Sequence, residues 1–399
     1  MTPLFRALVV LSVTLICSWG AVYYAYALTA PLIAEENGWS KPFVYAGFSL
    51  TMVVAGLASP WVGRAIDRHG GRVVMTAGSL VAALGLALLG LAHGEIAFLI
   101  ACAVCGGGMA MTFYDAGFAT LTWMDVGRAR RAITIVTLAG GLASTVFWPL
   151  TQWLLTFLDW REVCLAYAAL HALVCAPLHY FALPHEPISD HGRSAPLDQR
   201  ALDAEPLQGR ARWEAFGLFA LLLVAQGFVS NGIAIHLLPA LSDLGTDPRS
   251  AILVGSLIGP AQVSARLLDL AFGRVIAPMS LGLAAIAAMP LAFLVLLLAP
   301  LGGAALVAFA LLYGFGNGLL TIARGVIPLT LFGREGYGGM LGLLAAPTLI
   351  VQAASPTVLA IASASLGVRP MLWICAASVT FAFLAMVGLA VRFSSRPVV

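Results

Sequence analysis

In a chain of 399 residues that is 61% hydrophobic and 10% charged, ionisable side chains deep inside apolar stretches are the first candidates for chemistry. Each costs about 2.5–3.5 kcal/mol to place at the centre of a bilayer even on the lenient insertion scale. Asp115 and Arg324 qualify, each eight residues before the end of its apolar stretch. A guanidinium binds a carboxylate or other oxyanion through two parallel hydrogen bonds. A carboxylate displaced from it becomes free to take a proton, so the two residues offer anion binding linked to protonation. Two other readings stay open: a purely structural ion pair, or an Arg324 that snorkels to the headgroups.

Aromatic and amide residues could complete such a site. Trp19, Tyr23 and Tyr26 recur at i, i+4 and i+7, one face of a regular helix, a spacing that packing aromatics also use. Gln226, Asn231 and His236 share one later stretch, and Asn317 precedes Arg324. His171, Gln152, Gln262 and Gln352 read as bridges between helices. Cys102 and Cys105 are either two soft sulfurs on one face or two small buried residues. All six cysteines lie in apolar stretches, which excludes a disulfide framework or a spaced zinc site.

The elements that must hold these residues are membrane spans. Apolar stretches run at about 7–33, 42–66, 72–92, 96–123, 131–156, 162–183, 213–240, 249–272, 275–299, 303–332, 337–363 and 369–391. They lack the period-2 alternation and short length of barrel strands, so the expected class is an all-α membrane protein with 12 transmembrane helices. The first stretch imitates a signal peptide, but it is long enough to span and is kept as span 1.

Sixteen of the 21 basic residues fall on one side if the N-terminus is cytoplasmic; Lys41, Arg161, Arg249 and Arg369 fall on the other, and Arg324 lies within a span. Basic residues in short loops stay inside, so both termini are expected in the cytoplasm. Residues 184–212 are polar and carry four prolines, which predicts a cytoplasmic linker between bundles 1–183 and 213–399.

The halves repeat. A shift of 202 places Arg64 on Arg266, Asp67 on Asp269, Gly71 on Gly273 and Arg72 on Arg274. A shift of 208 places Gly106 on Gly314, Gly108 on Gly316 and Tyr23 on Asn231, and puts Asp115 beside Arg324. Two pseudo-symmetric six-helix bundles follow, an arrangement that transporters use to rock about a site near the membrane midplane.

Between the second and third stretches stands Gly63-Arg64-Ala65-Ile66-Asp67-Arg68-His69-Gly70-Gly71-Arg72. This loop resembles the G-x-x-x-D-R-x-G-R-R signature of the major facilitator superfamily, with Gly71 departing from the usual basic residue. Arg266, Asp269, Gly273 and Arg274 look like a degenerate second copy. The resemblance implies that spans 1, 4, 7 and 10 line a central cavity. It further implies that Gly63, Arg64, Asp67, Arg68, Gly70 and Arg72, with Arg266, Asp269 and Arg274, serve gating, Asp67 meeting the start of span 11 near Tyr337. A solvated basic loop that only fixes orientation is the plainer reading. Arg128-Ala129-Arg130-Arg131 leading to Gly140 and Pro149 is similar to the bacterial monocarboxylate and oxalate-formate porter-like branch, although span 1 has Ser18-Trp19-Gly20 instead of an acidic-Gly-Gly motif.

The expected function is proton-linked transport of a small organic anion such as a monocarboxylate. Arg324, Asp115, Trp19, Tyr23, Tyr26, Asn231, His236 and Asn317 would contact the solute. Efflux of a drug or trivalent metalloid is the first alternative, and a non-transporting membrane receptor the second. No His-Glu-x-x-His, nucleophile elbow or phosphate loop is present, so no enzyme, metal site or cofactor is expected. The implied partners are a small-molecule solute, protons and the lipid bilayer, with no nucleic acid, and the chain is expected to act as a monomer. Arginine-rich loops and the lack of an Asn-x-Ser/Thr acceptor fit a bacterial inner membrane.

Overall fold

A computed structural model describes residues 2–188, 205–299 and 302–393. Among them every regular element is helical, and twelve helices are long and apolar enough to cross a membrane. Spans 1 to 6 are Pro3–Asn37, Lys41–His69, Gly71–Gly90, Glu95–Met124, Val126–Leu154 and Trp160–Ala182. Spans 7 to 12 are Gly209–Asp243, Arg249–Phe272, Pro278–Leu298, Gly303–Phe332, Tyr337–Leu366 and Val368–Phe393. Most of the expected linker, with Arg193 and Arg200, lies outside the described residues, as do Arg396 and the side chain of Arg274.

The helices form two compact units. Unit 1 comprises the described residues of Met1–Ser194 and Arg334–Ala346, and unit 2 those of Ala195–Gly333 and Pro347–Val399. Short polar connections start the spans. Ser40 caps span 2 through Phe43 N at 3.3 Å, Asp247 caps span 8, and Asp159 with Glu162 closes a reciprocal capping box on span 6. Arg161 does more than occupy a loop. It pairs with Glu36 at 2.9 Å and donates to the carbonyls of Gly90 and Ala92 at the end of span 3, while Trp160 Nε1 donates to the same Glu36.

Glycine lets the spans meet backbone to backbone, and it does so alike in both units. A Cβ on Gly106 would sit 2.5 Å from the Thr51 carbonyl of span 2, and one on Gly108 2.6 Å from Ala82 of span 3. Their counterparts Gly314 and Gly316 meet the Ile258 carbonyl of span 8 and the Ala285 carbonyl of span 9, both at 2.6 Å. The glycine pairs related by 208 residues therefore hold corresponding neighbours.

Three departures from regular helix stand out. Span 4 is broken at Phe113, whose extended backbone separates Glu95–Thr112 from Tyr114–Met124, so the expected continuous helix is corrected. Spans 1 and 6 contain π turns at Trp19–Tyr24 and His171–Cys175. In span 6 the turn accompanies a second correction. His171 is fully buried and neither ring nitrogen makes a well-formed hydrogen bond, so it does not bridge helices by hydrogen bonding as expected. His179 does so. Its Nδ1 lies 3.0 Å from Ser79 Oγ and its Nε2 2.8 Å from Thr14 Oγ1, joining spans 6, 3 and 1. Thr14 donates to the Val10 carbonyl at 2.9 Å. Either ring tautomer serves both contacts, since each hydroxyl can donate or accept.

Replacing Gly108 or Gly316 by leucine should destabilise the protein by about 1–3 kcal/mol or more through overpacking. Gly107→Ala should be near neutral, because its nearest neighbour, Val81 Cγ1, would be 3.5 Å away. Thermal unfolding of the purified protein checks both. An unaltered midpoint in the leucine variants would refute the packing role.

Candidate functional site

The π turn of span 1 reshapes the expected aromatic face. Trp19, Tyr23 and Tyr24 cluster within it, with ring centroids 5.2 Å apart for Trp19–Tyr23 and for Tyr23–Tyr24. A π turn spends an extra residue per turn, so Trp19, Tyr23 and Tyr26 no longer keep the regular register. Tyr26 is buried against Phe48 at 5.0 Å, and its hydroxyl donates to the Val44 carbonyl at 2.6 Å. Trp19 packs on the break in span 4, 4.3 Å from the Phe113 ring and 5.2 Å from that of Tyr114.

The break has a consequence for Asp115. It falls in the first turn of Tyr114–Met124, where a carboxylate interacts favourably with the positive end of the helix dipole. From Thr112 to Thr122 it is the one residue that is not buried. Phe113 carries no glycine or proline signal, so a sequence reading has nothing local from which to place the break.

Span 10 of unit 2 shows a parallel selectivity. Between Gly316 and Leu329 only Asn317, Thr321 and Arg324 are partly exposed, while all their neighbours are buried. Their spacing of i, i+4 and i+7 makes one polar stripe on an otherwise apolar helix. Gln226 Nε2 donates to Asn317 Oδ1 at 2.9 Å and Ser230 Oγ donates to the same oxygen at 3.1 Å. Thr321 Oγ1 donates to the Asn317 carbonyl at 2.9 Å and accepts from Arg266 Nη2 at 3.5 Å. Arg266 and Asp269 are themselves buried in span 8. The expected residues omitted Ser230 and Thr321, although the stripe's spacing could have shown Thr321.

Asn231 and His236 are placed elsewhere, on the seam between spans 7 and 11. Pro356 has no N–H, so the Gln352 carbonyl one turn earlier loses its helical donor. Asn231 Nδ2 supplies one at 2.7 Å. His236 Nε2 donates to the Pro356 carbonyl at 2.8 Å, and Ser355 Oγ donates to the Phe228 carbonyl of span 7.

Within unit 1, Asp67 meets the start of span 11. Its Oδ1 accepts from Gly338 N and its Oδ2 from Gly339 N, both at 2.8 Å. These are among the first N–H groups of a helix, which have no partner within it. Gly63 lies against Gly338, and Gly70, at φ 74°, makes the reversal into span 3. Arg64 lies over Trp61 at 5.8 Å and Arg72 over Tyr180 at 4.3 Å, while Arg68 is exposed. Cys102 and Cys105 turn into the interior of unit 1. With Cys164, Tyr26 and Tyr167 they line a cavity of about 20 Å³.

A sequence model of the Major Facilitator Superfamily matches residues 10–305, and the chain belongs to that family. Monocarboxylate transporter 13 of Bos taurus is 28% identical over 291 residues, covering 70% of this chain and 64% of the relative. The chain thus spans somewhat less than two thirds of that relative's length. Monocarboxylate transporter 13 of Rattus norvegicus is 28% identical over 326 residues, covering 74% of this chain and 70% of the relative. The crystal structure of the human organic anion transporter MFSD10 (TETRAN) matches with a TM-score of 0.75 at 17% identity, covering 97% of this chain and 100% of that one. That likeness is one of fold.

Asn231→Leu should leave the Gln352 carbonyl unpaired and cost about 1–3 kcal/mol. Adding Pro356→Ala restores an N–H and should recover much of the loss. Thermal unfolding of the single and double variants reads this directly, and a double variant no better than Asn231→Leu would refute the pairing.

Proposed function

We propose that this membrane protein carries a small organic anion by alternating access, with Arg324 holding the anionic group and Asp115 taking a proton. The observation that carries the reading is the accessible stripe of span 10. A cation and two hydrogen-bonding residues are partly exposed where every neighbour is buried, and intramembrane polar groups of this kind mark solute or ion pathways. Leu311, the exposed leucine of the same span, projects from a different side of the helix. That placement favours a solute-facing Arg324 over a snorkelling one. The named relatives, a monocarboxylate transporter and an organic anion transporter, support the same solute class.

Trp19 and Tyr23 would wall the solute, whereas the hydrogen bonds of Tyr26, Asn231 and His236 favour structural roles for them. Asp67, held by two backbone N–H groups, would act as a latch that releases span 11 during the cycle. The helix ends around it, from Gly63 through the Gly70 reversal to Arg72, would move with that step, and Arg266, Asp269 and Arg274 form their counterpart. On the arginine distribution we place both termini in the cytoplasm. A bacterial inner membrane is supported only by the loops and the missing glycosylation acceptor, and the named monocarboxylate relatives are mammalian. The inward-turned Cys102 and Cys105 give metalloid efflux no support.

Uptake into proteoliposomes tests the reading with organic anions of two to six carbons, a neutral sugar and arsenite, with and without a proton gradient. Loss of charge-assisted hydrogen bonds worth about 1.5–3 kcal/mol should weaken anion affinity about tenfold to a hundredfold in Arg324→Gln. Gradient dependence should vanish in Asp115→Asn. Anion flux that ignores Arg324, or movement of arsenite alone, would overturn the anion reading.

A further inference from the structure

The stripe of span 10 carries a second polar anchor whose chemistry differs from that of Arg324. Gln226 Nε2 donates to Ser230 Oγ at 2.5 Å and to Asn317 Oδ1 at 2.9 Å, and Ser230 Oγ donates to Asn317 Oδ1 at 3.1 Å. These contacts close a three-residue node between spans 7 and 10. Each primary amide has one acceptor end and one donor end. The node consumes the donor end of Gln226 and the acceptor end of Asn317. Gln226 Oε1 and Asn317 Nδ2 remain, on side chains that are partly exposed, and neither makes a further hydrogen bond among the described residues. Exchanging oxygen and nitrogen in both amides, a choice set by the network alone, leaves the same outcome. One acceptor and one donor are left over at the same node.

Such a pair complements a group that both gives and accepts, namely a hydroxyl or a carboxamide. A carboxylate alone, which only accepts, would leave the free carbonyl end unmatched. Asn317 and Arg324 are seven residues apart, about 10 Å along a helix axis. Helical side chains lean toward the N-terminal end of their helix, so Arg324 reaches in the direction of Asn317 and shortens the gap to several carbon–carbon bonds. Thr321, between them, has already spent its hydroxyl proton on the Asn317 carbonyl. Thr321 itself therefore offers no further donor, and the two ends of the stripe differ.

We infer that the solute is a carboxylate bearing a hydroxyl or amide several carbons from its acid group, the polar substituent being recognised by Gln226 and Asn317. The inference rests on Arg324 as the carboxylate site. It predicts that unsubstituted short acids are the poorer ligands.

The test is equilibrium binding to the purified protein of 4-hydroxybutanoate, 5-hydroxypentanoate and 6-hydroxyhexanoate, each against the unsubstituted acid of equal length. For at least one length the hydroxy acid should bind about tenfold more tightly, since a site built to hydrogen-bond a hydroxyl rejects the analogue lacking it. That ratio should fall to near one in Asn317→Leu and in Gln226→Leu, the second variant standing in where a thermal melt shows the first to be unfolded. Ratios near one at every length in the wild type, or a ratio that survives both substitutions, overturn the inference and leave the anion site standing. In Arg324→Gln both members of each pair should lose affinity together. Unchanged affinity there, or binding of no acid to the wild type, overturns the underlying anion reading as well.

Discussion

Within the hydrocarbon of a bilayer no water is at hand to satisfy a stray carbonyl or N–H, and each one left over costs several kcal/mol. Much of the internal arrangement of this chain follows from that constraint. Where Pro356 strips the Gln352 carbonyl of its helical donor, an amide from span 7 takes the place of the missing N–H. Buried hydroxyls of Thr14, Ser59, Thr112 and Thr120 return their protons to carbonyls of their own helices. The buried imidazole of His179 has both nitrogens engaged. Glycine contributes in another way, letting spans approach until backbone meets backbone, with contact area replacing the hydrophobic drive that lipid cannot supply.

Against this background, the partly exposed polar groups acquire meaning. Between Gly316 and Leu329 the accessible positions of span 10 are the polar ones, and the amide ends left over at Gln226 and Asn317 lie at the first of them. In unit 1, the break at Phe113 opens a helix end in the middle of span 4 and puts Asp115 on it. The π turn that packs against the break gathers Trp19, Tyr23 and Tyr24 beside it. Irregular backbone thus occurs on spans 1 and 4, which carry part of the proposed site, and also on span 6, which does not.

How much of this was legible in the residue order depends on whether the cause is local. The twelve spans are visible because apolar runs between arginine, proline and glycine breaks need no partner to be recognised. Asp67 and the glycines around it were visible as a motif, since one carboxylate among arginines has no topogenic purpose, but the loop expected there is helical except at Gly70. The glycine pairs at 106 and 108 and at 314 and 316 announced close packing, although not which neighbour each would touch. The break at Phe113 was hidden, because no helix-breaking residue stands at it, whereas the π turn of span 1 contains Gly20 and that of span 6 is followed by Pro177. His171 and His179 lie on one face of span 6, and only the third dimension decides which of them meets Thr14 and Ser79. Pro356 was a signal that some donor must come from elsewhere; that Asn231 provides it could not be read from the chain alone.

The contact of Asp67 with Gly338 and Gly339 is made to main chain and not to side chain. An ion pair can be lost or re-tuned from either partner by a single codon, but an amide hydrogen belongs to every residue except proline. The chemistry of this contact is therefore heritable on one side only. On the other side what must be kept is an absence of bulk, since a Cβ on Gly338 would lie 2.8 Å from the carboxylate itself. Drift in the first turn of span 11 is limited by volume, and drift at position 67 by charge, so the two halves of one contact answer to different kinds of selection.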